Sequence, residues 1–465
     1  MTSEIQTTAG NPLGYEKTGK LLRKFAIPSV VSMLVNSLYN IVDQIFIGRG
    51  VGYIGNAATN VSFPLVTLTL AITLMIGNGC AANMSLLLGQ SKRQEASEGV
   101  GTALVMTIIA AVVIFVCGKL LIQPMLLLFG ATETVLPYAL DYTSIILYGL
   151  PFVMMSMTLN AIIRADGSPK YSMFSMLSGA ILNIILDPIF IFVFDMGVKG
   201  AAYATIIGQV LGFAVSVVYL GKFKHVDFKL SYLKLKFRLV KMITMLGTSS
   251  FIVQFSGLFV QIVMNNSLKH YGALSVYGSD IPLSALGIVM KINMILLSVV
   301  LGISIGSQPI IGFNYGAKNY SRVKETYRTV LIISCAITFG GFLVFMFAPQ
   351  AIISIFGQEN DLYNEFAVKC FRIFLMGIFM AGFHVPTSGY FQAVGKPLRS
   401  AILSLARQVG FLIPLMIIFP LFFGLDGILY SGPFADLATT ILTFFFIRKE
   451  WKLLKVQEQG IPLVQ

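Results

Sequence analysis

Charge is scarce in this sequence: only 11% of its 465 residues are Asp, Glu, Lys or Arg, about half of what a water-soluble domain carries. That scarcity excludes water as the main solvent. Cysteine is limited to Cys80, Cys117, Cys335 and Cys370, each inside an apolar stretch and without metal-ligand or redox spacing, which argues against a disulfide framework or a zinc site. There are three histidines, and the apolar stretches contain no HExxH, no GxGD-type aspartate pair and no Gly-Ser nucleophile with a partnering His. An enzyme is therefore not expected, and no cofactor is implied. No ten-residue alternation recurs, so a β-barrel is not expected either. The residues ahead of the first apolar stretch are polar and contain no short apolar core with a small-residue cleavage site, so no secretory signal peptide is read there.

What is abundant is apolar: 56% of the residues are hydrophobic. A hydrocarbon core about 30 Å thick needs roughly 20 mostly apolar residues per helical span. Twelve such stretches are read, at 25–48, 56–88, 99–128, 134–163, 170–194, 200–221, 242–268, 281–315, 327–356, 363–392, 398–422 and 428–447. The expected fold is thus an all-α membrane protein. Its parts are a tail over 1–24, a six-helix bundle over 25–222, a linker over 223–240, a second bundle over 241–448 and a tail over 449–465.

Most of the 33 lysines and arginines fall in the two tails, the linker and alternate loops. The other side holds only Arg49, Lys119, Lys199 and Lys269. The positive-inside rule then makes both termini cytoplasmic, in an inner or plasma membrane. Anionic lipid accounts for the net charge of +13, so the bilayer is the expected macromolecular partner and nucleic acid is not. A monomer is expected.

The two halves echo each other. Gly79 and Gly89 recur as Gly306 and Gly316, and Gly197, Gly200 and Tyr203 recur as Gly424, Gly427 and Tyr430, at one constant offset. At nearly the same offset, ADGSP at Ala165 returns as AVGKP at Ala393. Six spans per copy bring both copies into the membrane from the same side, which makes them parallel repeats about a pseudo-symmetry axis along the membrane normal.

Polar residues inside these spans carry the functional reading. Asn36, Tyr39, Asn40 and Asp43 lie at i, i+3, i+4 and i+7 on the first span, hence on one face. Asn183 and Asp187 are one turn apart on the fifth. At about 1.5 Å per residue, both acids lie roughly 25 Å from the basic ends of their helices. Thr205 reaches a similar depth. A carboxylate there must face protein or a wet cavity, and two at one level, with no base near, must hold a proton or a cation. Sodium and proton are both chemically reasonable at Asp43, Asp187, Asn183 and Thr205. Pro28 and Pro188 each remove a helical hydrogen bond and mark candidate kinks. Met176, with its neighbouring methionines, suits a deformable cavity wall.

In the second half Gln261 and Asn265 belong to a polar stripe with Gln254 and Gly257, without an acid. Asp436 has Lys291 or Arg407 available, and a structural ion pair is the favoured reading, with a second titrating group as the alternative. His384 reads as a satisfied interior histidine.

The segments NAIIRADGSPKYSM and LNIILDPIFIFVFDMGVKGAAYAT and the LGQSK loop resemble the multidrug and toxic compound extrusion family, essentially along the whole chain. The resemblance implies that Asp43 and Asp187 are the coupling carboxylates, with Tyr39, Asn160, Asn183 and Thr205 around them and Pro28 as the bending proline. An acid that another branch carries on the seventh span is absent from VQFSGLFVQIVMNN. The resemblance further implies alternating access of two bundles, with influx of protons or sodium driving efflux of cationic or amphipathic small molecules. The substrate cavity is expected to involve Asn36, Asn40, Asn160, Met176, Gln261, Asn265, Lys291 and Asp436. The rival reading is a flippase for lipid-linked intermediates, for which Lys291 and Arg407 supply the basic groups.

Overall fold

A computed structural model describes residues 11–356 and 361–458. Among these the secondary structure is helical, with no strand. After a single turn at Pro12–Tyr15 come α1 (Thr18–Val51), α2 (Tyr53–Gly89), α3 (Arg93–Leu128) and α4 (Leu136–Ala165). The first half closes with α5 (Pro169–Val193), whose last turn Ile189–Val193 is a π-helix, and α6 (Gly197–Lys222). The second half contains α7 (Phe237–Ala273), α8 (Asp280–Gly316) and α9 (Tyr320–Phe347). It ends with α10 (Asp361–Phe374 and Ile378–Ala393, bent by 40°), α11 (Pro397–Phe423) and α12 (Leu425–Glu458). Eleven of these helices are long and apolar enough to cross a membrane, and the bent pair makes twelve.

Several elements differ from the sequence reading. The expected span 327–356 stops at Phe347 and restarts as the short helix Pro349–Phe356, because Pro349 has no N–H with which to continue α9. The bend of α10 falls where Gly377 lies against Asp436 and Pro433 of α12 (a Cβ there would sit 2.8 and 2.9 Å from them). Finally, α1 already begins at Thr18 and α12 runs on to Glu458. Amphipathic first and last turns carry Lys and Arg, so hydropathy alone places the ends too far in.

The duplication is visible in the backbone. Gly167 (φ +88°) and Gly395 (+76°) make the same left-handed turn in the two halves, as do Gly197 (+54°) and Gly424 (+55°), a conformation open to glycine at little cost. Even the non-glycine pair Ser91 (φ 61°) and Lys318 (58°) repeats it. The result is two pseudo-symmetric six-helix lobes.

The lobes meet along α1 with α8 and α2 with α7 and α8. Near the basic end this seam is made by glycine. Gly89 lies on the carbonyl of Phe313 and, reciprocally, Gly316 lies on that of Leu86. Gly79 lies on Ile243, Gly247 on Met75, Gly302 on Val30 and Gly306 on Ala26. Backbone can approach backbone this closely only where there is no side chain. Ser37 and Ser298 bond at 2.6 Å, and Asn78 and Gln392 both reach Ser250 at 3.1 Å. Among the described residues, no hydrogen bond joins the lobes beyond Ser37 and Ser298 toward the other end. There, Gly257 on α7 and Gly287 on α8 face open space, with nothing within 4 Å of where a Cβ would sit. The lobes are therefore fastened at the basic end and parted at the opposite one, with a cleft between.

The segment ahead of α1 crosses to the second lobe. Asn314 and Arg322 donate to the Leu13 carbonyl (2.9 and 3.3 Å), Arg322 also to that of Glu16 (2.5 Å), and the Thr18 hydroxyl meets Glu325. The linker between the lobes lies against α3, with Asp227 N–H on Ser97 (2.9 Å) and Thr102 on the Lys234 carbonyl (3.0 Å).

Candidate functional site

Three helices of the first lobe converge on one polar cluster. Asp43 from α1 and Asp187 from α5 lie side by side, close enough for their carboxyls to interact directly. Asp187 is fully buried. Two carboxylates at that range repel, and a single proton shared between them relieves the repulsion. Neither acid has a basic partner among the described residues, and one Asp43 oxygen is buried without any partner. The amide of Asn183, one turn before Asp187, is 3.3 Å from both Asp187 Oδ1 and Thr205 Oγ1 of α6. Turned over, its nitrogen donates to Asp187 Oδ2 at 3.1 Å and its oxygen accepts from the Thr205 N–H at 3.0 Å. In both orientations Asp187 receives an N–H. Tyr39 lies beside Thr205, Asp43 and Asp187 and completes the ring.

The structure adds a residue that pattern reading missed. Tyr142 of α4, buried, lies near Asp43, Asp187 and Tyr39. It is one tyrosine of 18 in the chain, and nothing local in the sequence distinguishes it.

The other residues singled out by sequence lie elsewhere. Asn36 is half-buried and Asn40 exposed on α1, with Asn40 Nδ2 donating to the Asn36 carbonyl at 2.6 Å. Asn160 is buried where α4, α5 and α6 meet, donating to the Ser156 carbonyl (2.9 Å) and to Ser175 (3.3 Å) and accepting from Ser172 (2.9 Å). It ties helices together rather than facing open space. Met176 is half-buried, two turns before Asn183. Pro28 is buried within α1, which stays continuous through it, whereas Pro188 stands directly before the π-turn of α5.

Gln261 and Asn265 are exposed on α7, and Asn265 is five full turns from Gly247. They therefore point the way Gly247 does, toward the first lobe. Lys291 is exposed on α8, two turns outward from Ser298 and on the same face, so it too looks across the cleft. Ser37 pairs with Ser298, Val30 with Gly302 and Ala26 with Gly306. That antiparallel register sets Lys291 level with Gln44 and hence with Asp43. Lys291 has no acidic partner among the described residues.

Asp436 instead takes Arg407, at 2.8 Å from the π-turn Ala406–Leu412 of α11, with His384 Nε2 at 3.7 Å. The second lobe thus holds its mid-membrane acid as an ion pair, where the first lobe sets acid against acid. Losing one partner of a buried pair costs about 3–5 kcal/mol, while removing both is often neutral. Arg407→Gln should therefore lower the melting temperature in detergent markedly, and Arg407→Gln combined with Asp436→Asn should restore most of the loss. An unchanged melting temperature in the single variant would show that the pair carries no such burden.

The family model MatE matches residues 28–189 and 249–418, one stretch in each lobe. The chain belongs to the MatE family. Among curated proteins it is similar to the probable multidrug resistance protein YoeA of Bacillus subtilis, 25% identical over 463 residues that cover 96% of this chain and 98% of YoeA. It is also similar to the multidrug export protein MepA of Staphylococcus aureus, 26% identical over 415 residues covering 89% of each chain. Among solved structures, the MATE multidrug transporter DinF-BH superposes with a TM-score of 0.86 and 34% identity, covering 92% of this chain and 95% of that one. The MatE fold so identified is the two-lobed, twelve-span membrane architecture described above.

Proposed function

We propose that this MatE protein is a multidrug efflux antiporter in which Asp43 and Asp187 carry the coupling proton. The observation that carries this reading is the contact between two carboxyls, inside a membrane-spanning bundle, with no base beside them. Such a pair binds one cation equivalent and releases it when the surroundings change, whereas an acid paired with a base has no such vacancy. A proton is favoured over sodium because Asn183 presents its N–H to Asp187 in either orientation, and a hard cation needs oxygen ligands there.

In this reading the basic end is cytoplasmic, and the cleft opens outward. Protonation from outside loads the pair. Closure of the far end and opening of the glycine seam then carry the proton inward, and substrate takes the return path. α1 is the element placed to couple the two events, because Tyr39 and Asp43 face the ring while Ser37 touches α8. The reading is tested by proteoliposomes with separately imposed proton and sodium gradients. Uphill efflux driven by the proton gradient alone is expected, and efflux driven only by sodium would reverse the ion assignment.

One observation favours a second reading of the substrate. Lys291 stands in the cleft without a counter-charge, as a carrier of lipid-linked or other anionic groups would require. Under the cationic-drug reading, Lys291→Gln leaves transport of a cationic dye unchanged or improves it a fewfold. Loss of lipid-linked sugar transport in that variant, with no dye efflux in the native protein, would select the flippase instead.

A further inference from the structure

Away from the cleft, the basic end of the first lobe contains an open cavity of about 520 Å³. Its walls come from the start of α1 (Lys24), the left-handed turn between α4 and α5 (Gly167 to Lys170), the first turns of α5, and the end of α6 with the linker (Lys222, Lys224). Four lysines thus surround one cavity whose lining contains no acid. None of the four has an acidic partner among the described residues.

The nearest carboxylate, Asp166, is fully buried beneath the turn and already committed. It accepts from the Tyr219 hydroxyl (2.9 Å) and from the backbone N–H groups of Lys224 and His225 (2.8 Å each). Those bonds fold the linker back against the α4–α5 turn and so bring Lys222 and Lys224 to face Lys170. The aromatic walls are committed as well. The Tyr171 hydroxyl donates inward to the Val215 carbonyl at 2.9 Å, leaving its ring, with Lys222 Nζ 6.0 Å from the centroid, as an apolar side of the cavity. Phe174 stands at the outer edge, 59% exposed.

Exposed ammonium groups around an open mouth, an apolar lining and a place where helix ends meet a loop are the features of a site for an anionic amphiphile at the membrane boundary. The volume lies within the usual range for a small-molecule site. We propose that this cavity binds a phosphate-bearing group, supplied by the headgroup of an anionic phospholipid, with Lys24, Lys170, Lys222 and Lys224 as its counter-charges and Tyr171 and Phe174 against the glycerol and upper acyl atoms. Such a headgroup bridges α1 to α5 and α6, the helices whose far halves hold the acid ring. The proposal is independent of what the protein transports and of which ion drives it.

The test measures cardiolipin binding to the full chain in phosphatidylcholine nanodiscs. It compares the native protein, the variant Lys170→Gln/Lys222→Gln/Lys224→Gln, and the control Lys229→Gln/Lys234→Gln/Lys241→Gln, which removes equal charge from the same end outside the cavity. At roughly fivefold per lysine near a membrane surface, the cavity variant should lose affinity on the order of 100-fold, with the control within a fewfold of native. Arginine at the same three positions should keep binding. Pyrophosphate and ATP, tried in lipid-free detergent, separate the sources: binding of these with the same lysine dependence, and none of cardiolipin, would keep the phosphate chemistry but move it to a soluble ligand. Equal loss in the cavity and control variants, or no saturable binding of any of the three probes, overturns the proposal. Because all four lysines are exposed, the variants should melt as the native protein does in detergent. Lys170→Gln alone, expected to lose about fivefold, provides the check if the triple variant does not fold.

Discussion

Asp187→Asn is expected to reduce gradient-driven efflux to background while the purified protein keeps its native melting profile. Asn fills the same volume and can still receive the N–H of Asn183, so the helix contacts around it survive. What it cannot do is share an exchangeable proton with Asp43. Asp43→Asn should give the same result, because the two carboxyls form one binding unit and effects within a unit do not add. The double variant should accordingly be no worse than either single one. Substrate should still bind, since the cleft side chains are untouched, and downhill exchange should persist. Retained uphill transport in both single variants would sink the coupling role, whatever the family does elsewhere. Tyr142→Phe offers a finer probe, as it removes a hydroxyl near the ring without changing its charge.

The second large effect lies at the glycine seam. A leucine at Gly89 or Gly247 would drive its side chain into the carbonyl of Phe313 or Met75, and neither backbone atom can rotate away. Overpacking a close contact costs about 1–3 kcal/mol per site, and about 1.4 kcal/mol is a tenfold change in a population. Gly89→Leu with Gly247→Leu should therefore shift the lobes by more than tenfold toward separation at the basic end. Spin labels at the exposed sites Arg93 and Lys318 read this as a longer distance. Transport should fall in parallel, since a carrier unable to close one gate cannot complete its cycle. A distance distribution identical to that of the native protein would mean that the seam is not what holds this end shut.

Much of the architecture is legible in the sequence. Long apolar runs count spans because the bilayer leaves the chain little choice, and matching loop glycines reveal duplication because left-handed turns restrict the residue. The acid ring was legible too, since buried carboxylates are expensive and helical rise converts sequence position into depth. Hydropathy could not see that α9 ends at Phe347 or that α10 bends, because Pro349 and Gly377 act through a single hydrogen bond and a single contact with α12. Nor could spacing decide whether Asp436 would choose Lys291 or Arg407. That depends on which way α8 and the π-turn of α11 face, and rotation of a helix about its axis is set by packing. Asn160 shows the converse. Its residue type and depth suit a cavity wall, yet two serines of α5 and the Ser156 carbonyl one turn back on its own helix satisfy it.

The segment ahead of α1 belongs by connectivity to one lobe and is held by the other. Separation at the basic end must therefore either carry this strap along with the second lobe or break the bonds that Asn314 and Arg322 make to it. Those bonds end on the carbonyls of Leu13 and Glu16, groups that every residue possesses. Apart from the buried Asn11 and Leu13 and the Thr18 hydroxyl that meets Glu325, the strap's own side chains can drift over generations without loosening the hold, whereas a change at Arg322 would remove two of the three bonds to those carbonyls.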